Sequence, residues 1–184
     1  MNTVRIIGGE WRRRLLRFPD SEGLRPTPDR VRETLFNWLG QDLCGQTCLD
    51  LFAGSGALGF EAASRGAERV VLVEQSPRVA AALRANLEQI GAGSRVEIVR
   101  GDGVQYAASC TQQFDVIFLD PPYNRGWIGK VAPLLGRLLK PDAALYIEAE
   151  TALENPGPEL PGWRTVKRGK AGEVHFHLMR LEAD

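Results

Sequence analysis

A chain of 184 residues with 43% apolar and 25% charged side chains has the make-up of a globular protein built on one hydrophobic core, and it lacks an apolar run long enough to cross a bilayer. The opening segment MNTVRIIGGEWRRR does not follow the basic, apolar, small-residue order of a secretory signal, so the cytoplasm is the expected compartment. The 23 Lys and Arg residues balance 23 Asp and Glu, which excludes a uniformly basic or acidic protein and leaves the placement of charge as the informative quantity.

That placement is uneven from the start. Arg5, Arg12, Arg13, Arg14 and Arg17 face only Glu10 in the opening segment, and Ile6, Ile7, Trp11, Leu15, Leu16 and Phe18 interleave with them. TVRIIGG and WRRRLLRF read as two short strands turning at Gly8 and Gly9, a hairpin with one basic face that suits a phosphate-rich partner. SEGLRPTPD is a Pro/Gly-rich connector. In DRVRETLFNWLGQDL, Val31, Leu35, Trp38 and Leu39 recur at helical spacing behind Asp29, which is placed to cap the helix. Residues 1–41 thus read as an extension of a core spanning 42–184, the two making a single domain.

Within the core, short apolar runs alternate with helical stretches. The strands are TCLDLF, RVVLVE, RVEIVR, FDVIFLD and ALYIEAE; the helices lie near GALGFEAASRG, SPRVAAALRANLEQI, VQYAASC and WIGKVAPLLGRLL. Such alternation implies a parallel sheet covered by helices on both faces. The end breaks the pattern, because WRTVKRGK and EVHFHLMRL have only Ala171 and Gly172 between them and read as an antiparallel hairpin. Cys44, Cys48 and Cys110 form no C-x-x-C pair and are expected to be small buried hydrophobes, and His175 and His177 to be packing residues of the last strand.

LDLFAGSGALGFEA sets Gly54, Gly56 and Gly59 between the first core strand and its helix, the G-x-G-x-x-G pattern of dinucleotide sites. A pyrophosphate, however, wants the bare positive end of that helix, and Asp50 beside the loop repels it. S-adenosylmethionine carries a sulfonium, an ammonium and a ribose diol but no phosphate, which suits Asp50, the glycine turn and Glu74 together. Asp102 and Gly103, after the next strand, stand where a carboxylate and a backbone amide can hold an adenine. The context AGSGA around Ser55 lacks the elbow of a serine hydrolase.

DPPY, residues Asp120 to Tyr123, closes the fourth core strand. The exocyclic amine of a nucleobase is a poor nucleophile because its lone pair is delocalised into the ring. Acceptors on Asp120 and on the Pro121 carbonyl can hold the amine so that the lone pair faces a methyl group, Pro122 stiffens the turn, and Tyr123 offers a flat face for an unstacked base. No metal is needed for this chemistry.

DLFAGSGALG, VEQSPR, GD and DPPY resemble the motifs of amino-group S-adenosylmethionine-dependent methyltransferases, while RIIGGEWRRRLLRFP, GLRPTPDRVRETLFNWL and KRGKAGEVHFHLMRL are similar to the RsmD family, which methylates the N2 amine of a guanine in 16S ribosomal RNA. The resemblance implies an α/β, Rossmann-like class I fold with a seven-stranded mixed sheet in the order 3-2-1-4-5-7-6, the last strand antiparallel. It implies that Asp50, Phe52, Gly54 and Gly56 line the methionine end of the cofactor, that Glu74 takes the ribose, that Asp102 with Gly103 addresses the adenine, and that Asp120, Pro121, Pro122 and Tyr123 face the guanine. Arg5, Arg12, Arg13, Arg14, Arg17, Arg25 and Arg30 are the implied RNA contacts, and Arg25, Thr27, Arg30 and Arg32 would close the site. The implied partner is 16S RNA in the small subunit or a late assembly intermediate, met by a monomer. Where the family usually reads W-R-G-R-K-L, this chain has Trp11, Arg12, Arg13, Arg14, Leu15 and Leu16. A DNA adenine or cytosine amino-methyltransferase shares the DPPY chemistry but normally needs a separate recognition domain, and a catalytically silent RNA-binding module has no use for an intact DPPY.

Overall fold

The structure is a computed structural model that describes residues 1–122, 126–153 and 160–182. A two-stranded ribbon, β1 (Asn2–Arg5) and β2 (Leu15–Phe18), leads into α1 (Asp29–Trp38). The core then alternates β3 (Thr47–Asp50), α2 (Ala57–Ser64), β4 (Arg69–Glu74), α3 (Pro77–Ile90), β5 (Val96–Arg100), α4 (Gly103–Ser109), β6 (Phe114–Leu119), α5 (Trp127–Leu138) and β7 (Leu139–Ala149), and ends in the hairpin β8 (Trp163–Ala171) and β9 (Val174–Leu181).

The seven core strands run in the order β5-β4-β3-β6-β7-β9-β8. Numbered along the core, this is the expected 3-2-1-4-5-7-6. β3, β4, β5, β6 and β7 pair in parallel, while β9 lies antiparallel between β7 and β8. The chain moves outward from β3 to β5 and then returns to lay β6 on the other side of β3, which opens a crevice beyond the carboxyl ends of β3 and β6, the place where open α/β sheets bind ligands.

Strand alternation divides the core between two faces. Cys48, Val70, Leu72, Phe118 and Tyr146 pack with α1, α2, α3 and the N-terminal ribbon, whereas Leu49, Val71, Val73, Ile117, Leu119 and Ile147 pack with α4 and α5. Helix α2 is buried along its whole length, and a Cβ on Gly59 would come within 2.0 Å of the Leu72 side chain, so this glycine lets the helix lie close on the sheet. Gly56, at φ +80°, starts that helix, and a Cβ there would meet the Phe60 ring and Leu83 at 2.7 Å.

The N-terminal segment forms the antiparallel hairpin read from sequence, with a longer connection than a turn at Gly8 and Gly9. Its strands stop at Arg5 and resume at Leu15, and the residues between them fold down onto α2. The buried Glu61 of α2 draws them in, accepting from the backbone N–H of Ile7 and of Gly8 at 2.9 Å each, while Ser64 Oγ accepts from Trp11 N at 2.9 Å. Arg32 supplies the counter-charge. Fully buried, it ion-pairs with Glu61 at 3.4 Å and with Asp29, and donates to the carbonyls of Thr27 (3.0 Å) and Arg5 (2.8 Å). Two expectations are corrected here. Arg32 is a structural clamp inside the protein rather than a residue closing the site, and Asp29 is no cap, since Pro28 holds that position and the Asp29 carboxylate binds Arg32 and Arg5.

Arg13 stands where the family usually has glycine, and its φ is +72°, in the left-handed region that glycine favours. The chain keeps the turn and accepts the strain. Leu15, in the position of the family's lysine, is correspondingly half exposed. Smaller corrections follow the same logic of packing. β7 begins at Leu139, earlier than ALYIEAE suggested; Cys48 is buried, with its thiol pushed far up by burial, but Cys110 is only partly covered and Cys44 is exposed.

Candidate methyl-transfer site

Parity assembles the site. Asp50, Glu74 and Glu148 close or nearly close β3, β4 and β7, and Asp120 follows β6 directly. Each lies an even number of residues from a side chain on the α1–α2–α3 face: Asp50 from Cys48, Glu74 from Leu72, Asp120 from Phe118 and Glu148 from Tyr146. Four acidic side chains therefore rise from one face at one edge of the sheet. Register refines their order. Asp50 pairs with Leu72 and Phe118, two residues below Glu74 and Asp120, and because Leu119 pairs with Ile147, Asp120 and Glu148 are neighbours.

Asp50 is 1% exposed, and its Oδ1 has no hydrogen-bond partner among the described residues. Burial raises its carboxyl to about 7, the Phe52 backbone N–H opposes that rise, and the charges of Glu74 and Glu148 add to it. Such a group is tuned for a cationic or hydrogen-bond-donating ligand.

Glu74 curls back over the glycine loop. Its Oε2 accepts from Gly54 N at 2.8 Å and its Oε1 from Ser76 N at 3.0 Å, which leaves further acceptor capacity on both oxygens. Ser76 in turn caps α3, accepting from Val79 N. Asp102 caps α4 through Oδ1, which accepts from Gln105 N at 2.9 Å, so capping and ligand binding are compatible uses of its two oxygens. Phe52 stands beside Gly103, where a Cβ would meet the Phe52 ring at 3.3 Å, and its ring lies 5.6 Å from that of Trp127 at the start of α5.

Asp120 is half-buried at the end of β6, followed by a buried Pro121 and an exposed Pro122. Its carboxyl is held well above the ordinary range, first by burial, then by the charge and hydrogen bond of Glu148, then by Asp50. Tyr123 lies outside the described residues. The connector before α1 spans the same edge, with Leu24 above Gly54 and the buried Thr27 donating to Glu148 Oε1 at 2.7 Å.

Among the described residues, no ion pair joins the arginines of the ribbon, the connector and α1 to the four acids of the cluster. Arg12, Arg13 and Arg17 are exposed on the ribbon, Arg14 donates to the Gln89 carbonyl of α3, and Arg5 is tied to Asp29; Arg25 and Arg30 are exposed on the connector and on α1. Glu10 pairs with Arg95 rather than with a neighbour in the ribbon. His177 is buried and accepts from Leu153 N at 3.1 Å, in keeping with a packing role. Glu148 and Tyr146 are the members of the cluster that sequence reading passed over. The available signal was an acid inside the apolar run ALYIEAE, two residues before its end.

The fold and the strand-end cluster define a class I methyltransferase architecture. Residues 4–180 match the family model described as "Conserved hypothetical protein 95". The chain is 43% identical over 183 residues to the ribosomal RNA small subunit methyltransferase D of Escherichia coli strain K12, covering 98% of this chain and 91% of that one. It superposes on the solved structure of a putative methyltransferase from E. coli with a TM-score of 0.86 at 39% identity, each chain covered in full. An RNA methyltransferase from Salinibacter ruber in complex with S-adenosyl-L-homocysteine shares the fold, with a TM-score of 0.69 at 20% identity over 87% of this chain and 95% of that one. The chain belongs to the conserved hypothetical protein 95 family, the RsmD family.

Proposed function

We propose that this protein transfers a methyl group from S-adenosylmethionine to the N2 amine of a guanine in the 16S RNA of the small ribosomal subunit. The observation that carries this reading is the single edge on which a buried Asp50 with one oxygen unpartnered among the described residues, the Glu74-braced glycine loop and Asp120-Pro121 converge. Asp50 receives the cationic methionine end, with Phe52, Gly54 and Gly56 around it; Glu74 binds the ribose diol, and Asp102 with Gly103 the adenine. The donor supplies an electrophilic methyl on a positively charged sulfur. Asp120 and the Pro121 carbonyl accept from the amine hydrogens and aim its lone pair, Pro122 stiffens the turn, and Tyr123 stacks on the base.

The acidic edge favours this over an NAD reading, because a pyrophosphate beside Asp50 and Glu74 would meet like charge. Relatives named ribosomal RNA small subunit methyltransferase D, matched along nearly the whole chain, favour RNA over a DNA base as acceptor. Residues 1–184 act as a single domain and a monomer in the cytoplasm, 1–41 as a basic extension and 42–184 as the catalytic core. Arg5, Arg12, Arg13, Arg14, Arg17, Arg25 and Arg30 meet RNA phosphates, and the substrate is the protein-bearing small subunit or a late assembly intermediate, whose shape supplies the specificity.

The test is nucleoside mapping of 16S RNA from cells with and without the protein, combined with Asp120→Ala. A single guanine should lose its N2 methyl, and the variant should transfer methyl about a hundredfold or more slowly, roughly 3 kcal/mol of transition-state stabilisation, with unchanged donor affinity. An unaltered methylation map, or normal turnover by Asp120→Ala, overturns the reading.

A further inference from the structure

Glu148 plays no part in the roles assigned above, yet it is the carboxylate set against Asp120. It is 4% exposed, and two hydroxyl groups donate to the same oxygen: Thr27 Oγ1 at 2.7 Å and Tyr146 Oη at 2.8 Å, both to Oε1. Register places it next to Asp120 on the same face of the sheet, since Leu119 of β6 pairs with Ile147 of β7. Two buried carboxylates side by side have no donor between them, and one shared proton supplies the donor and removes the repulsion. Glu148 already serves as the acceptor of two hydroxyl hydrogen bonds, so in the pair it is the acceptor and Asp120 the donor. Asp120's raised affinity for a proton, caused by burial and by Glu148, agrees with that placement.

Building on the methyl transfer proposed above, we infer that Glu148 is the positioning partner of Asp120: the two carboxyl groups hold one proton between them, and Glu148 takes it over when the acceptor amine releases its own. The amine lone pair forms the new N–C bond as the methyl–sulfur bond breaks, and sulfur keeps the bonding pair. The nitrogen, now cationic, passes one N–H proton to the free oxygen of Asp120. The proton already on the other Asp120 oxygen moves to Glu148, so the pair ends neutral and returns one proton to water before the next turnover. In the resting state the Asp120 hydroxyl is committed to Glu148, and the oxygen presented to the amine is an acceptor. The pair also carries one negative charge instead of two beside Asp50. Thr27 links this arrangement to the N-terminal connector, for its hydroxyl is directed at Glu148. The other titratable groups that bear on the cluster are Asp50 of β3, Glu74 of β4 and Tyr146 of β7 itself.

The decisive variant is Glu148→Gln. Its amide oxygen can still accept from Thr27 and Tyr146 and its NH2 can donate to Asp120, but it cannot take a proton. Infrared difference spectra of the free protein at about pH 8, above the Asp50 titration, should show a protonated-carboxyl stretch that disappears in both Asp120→Asn and Glu148→Gln. Single-turnover methyl transfer should fall about tenfold or more in Glu148→Gln, with the KM for the methyl donor within about twofold of wild type. Its pH profile should carry one titration where the wild type carries the two of a coupled pair. A wild-type spectrum without the carboxyl band, or a Glu148→Gln enzyme with the wild-type rate and pH profile, overturns the inference. Should thermal melting show that Glu148→Gln does not fold, Thr27→Val and Tyr146→Phe, each removing one donor to Oε1, must shift the band; an unshifted band overturns the inference equally. A wild type that shows the band but methylates no guanine would sink the substrate reading and leave the carboxyl pair standing.

Discussion

Acidification should weaken binding of the methyl donor through Asp50. The group is enclosed, one oxygen lacks a partner among the described residues, and burial, with Glu74 and Glu148 adding to it, lifts its carboxyl from 3.8 to about 7. The sign is that of a raised carboxylate. In the free protein its contribution to stability is complete below the unfolded value and is lost as pH climbs toward the folded one, because over that window the unfolded chain has released a proton that the folded chain retains. A window of roughly three pH units at about 1.4 kcal/mol each bounds the loss from this residue at about 4 kcal/mol. A bound cation selects the ionised form, so below pH 7 binding must first expel the proton, and each unit of acidification should weaken affinity about tenfold. Titration calorimetry between about pH 5.5 and 7.5, below the range where the donor's own α-amino group titrates, should show this slope. Buffers of different ionisation enthalpy should register about one proton released per donor bound at the acid end and far fewer at the alkaline end. Asp50→Asn should bind more weakly and with a flat profile. A wild-type affinity independent of pH, with no proton release, would refute the placement of the cationic end at Asp50.

Four further outcomes follow from the packing. Arg32→Ala, which leaves Glu61 buried with Arg65 as its remaining guanidinium, should cost about 3 kcal/mol or more in urea unfolding, and a loss below about 1 kcal/mol would contradict the clamp. Gly56→Ala should destabilise by about 1 to 3 kcal/mol, since it combines a left-handed backbone with a 2.7 Å clash; a neutral melt would contradict that geometry. Arg13→Gly should raise stability by about 1 kcal/mol by relieving the left-handed backbone, although it removes a positive charge, and a lower melting temperature would count against the strain. Replacing Arg12, Arg13 and Arg14 together should flatten the salt dependence of RNA binding by about 0.7 to 0.9 log units for each phosphate no longer neutralised, with donor affinity intact; Arg14 is already tied to Gln89, so fewer than three phosphates should be involved, and an unchanged salt slope would contradict the ribbon's role.

Much of the fold was legible because its signals are local. Apolar alternation marks the parallel strands, glycine at a left-handed position starts α2, and Ser76 followed by Pro77 starts α3. The short link between the last two strands makes them a hairpin, and the ends of the core strands locate Asp50, Glu74, Asp102 and Asp120 from the order of residues alone. The two strands of the ribbon were legible in the same way, but what holds their connection was not: the backbone at Ile7 and Gly8 is held by Glu61, more than fifty residues away.

What the amino-acid order determined by itself is therefore the set of elements, the direction and succession of the core strands, and which residues end them. Tertiary structure alone decided which of those ends meet. Thr27 reaches Glu148 across 121 residues, Arg32 finds Glu61 inside the protein, and Asp120 stands beside Glu148 because β6 and β7 pair in one register. A shift of that register by one residue would turn Glu148 to the opposite face. Periodicity along one strand is fixed by the geometry of the backbone, whereas the alignment of two strands depends on how whole faces of side chains pack, and that is settled only when the sheet is assembled.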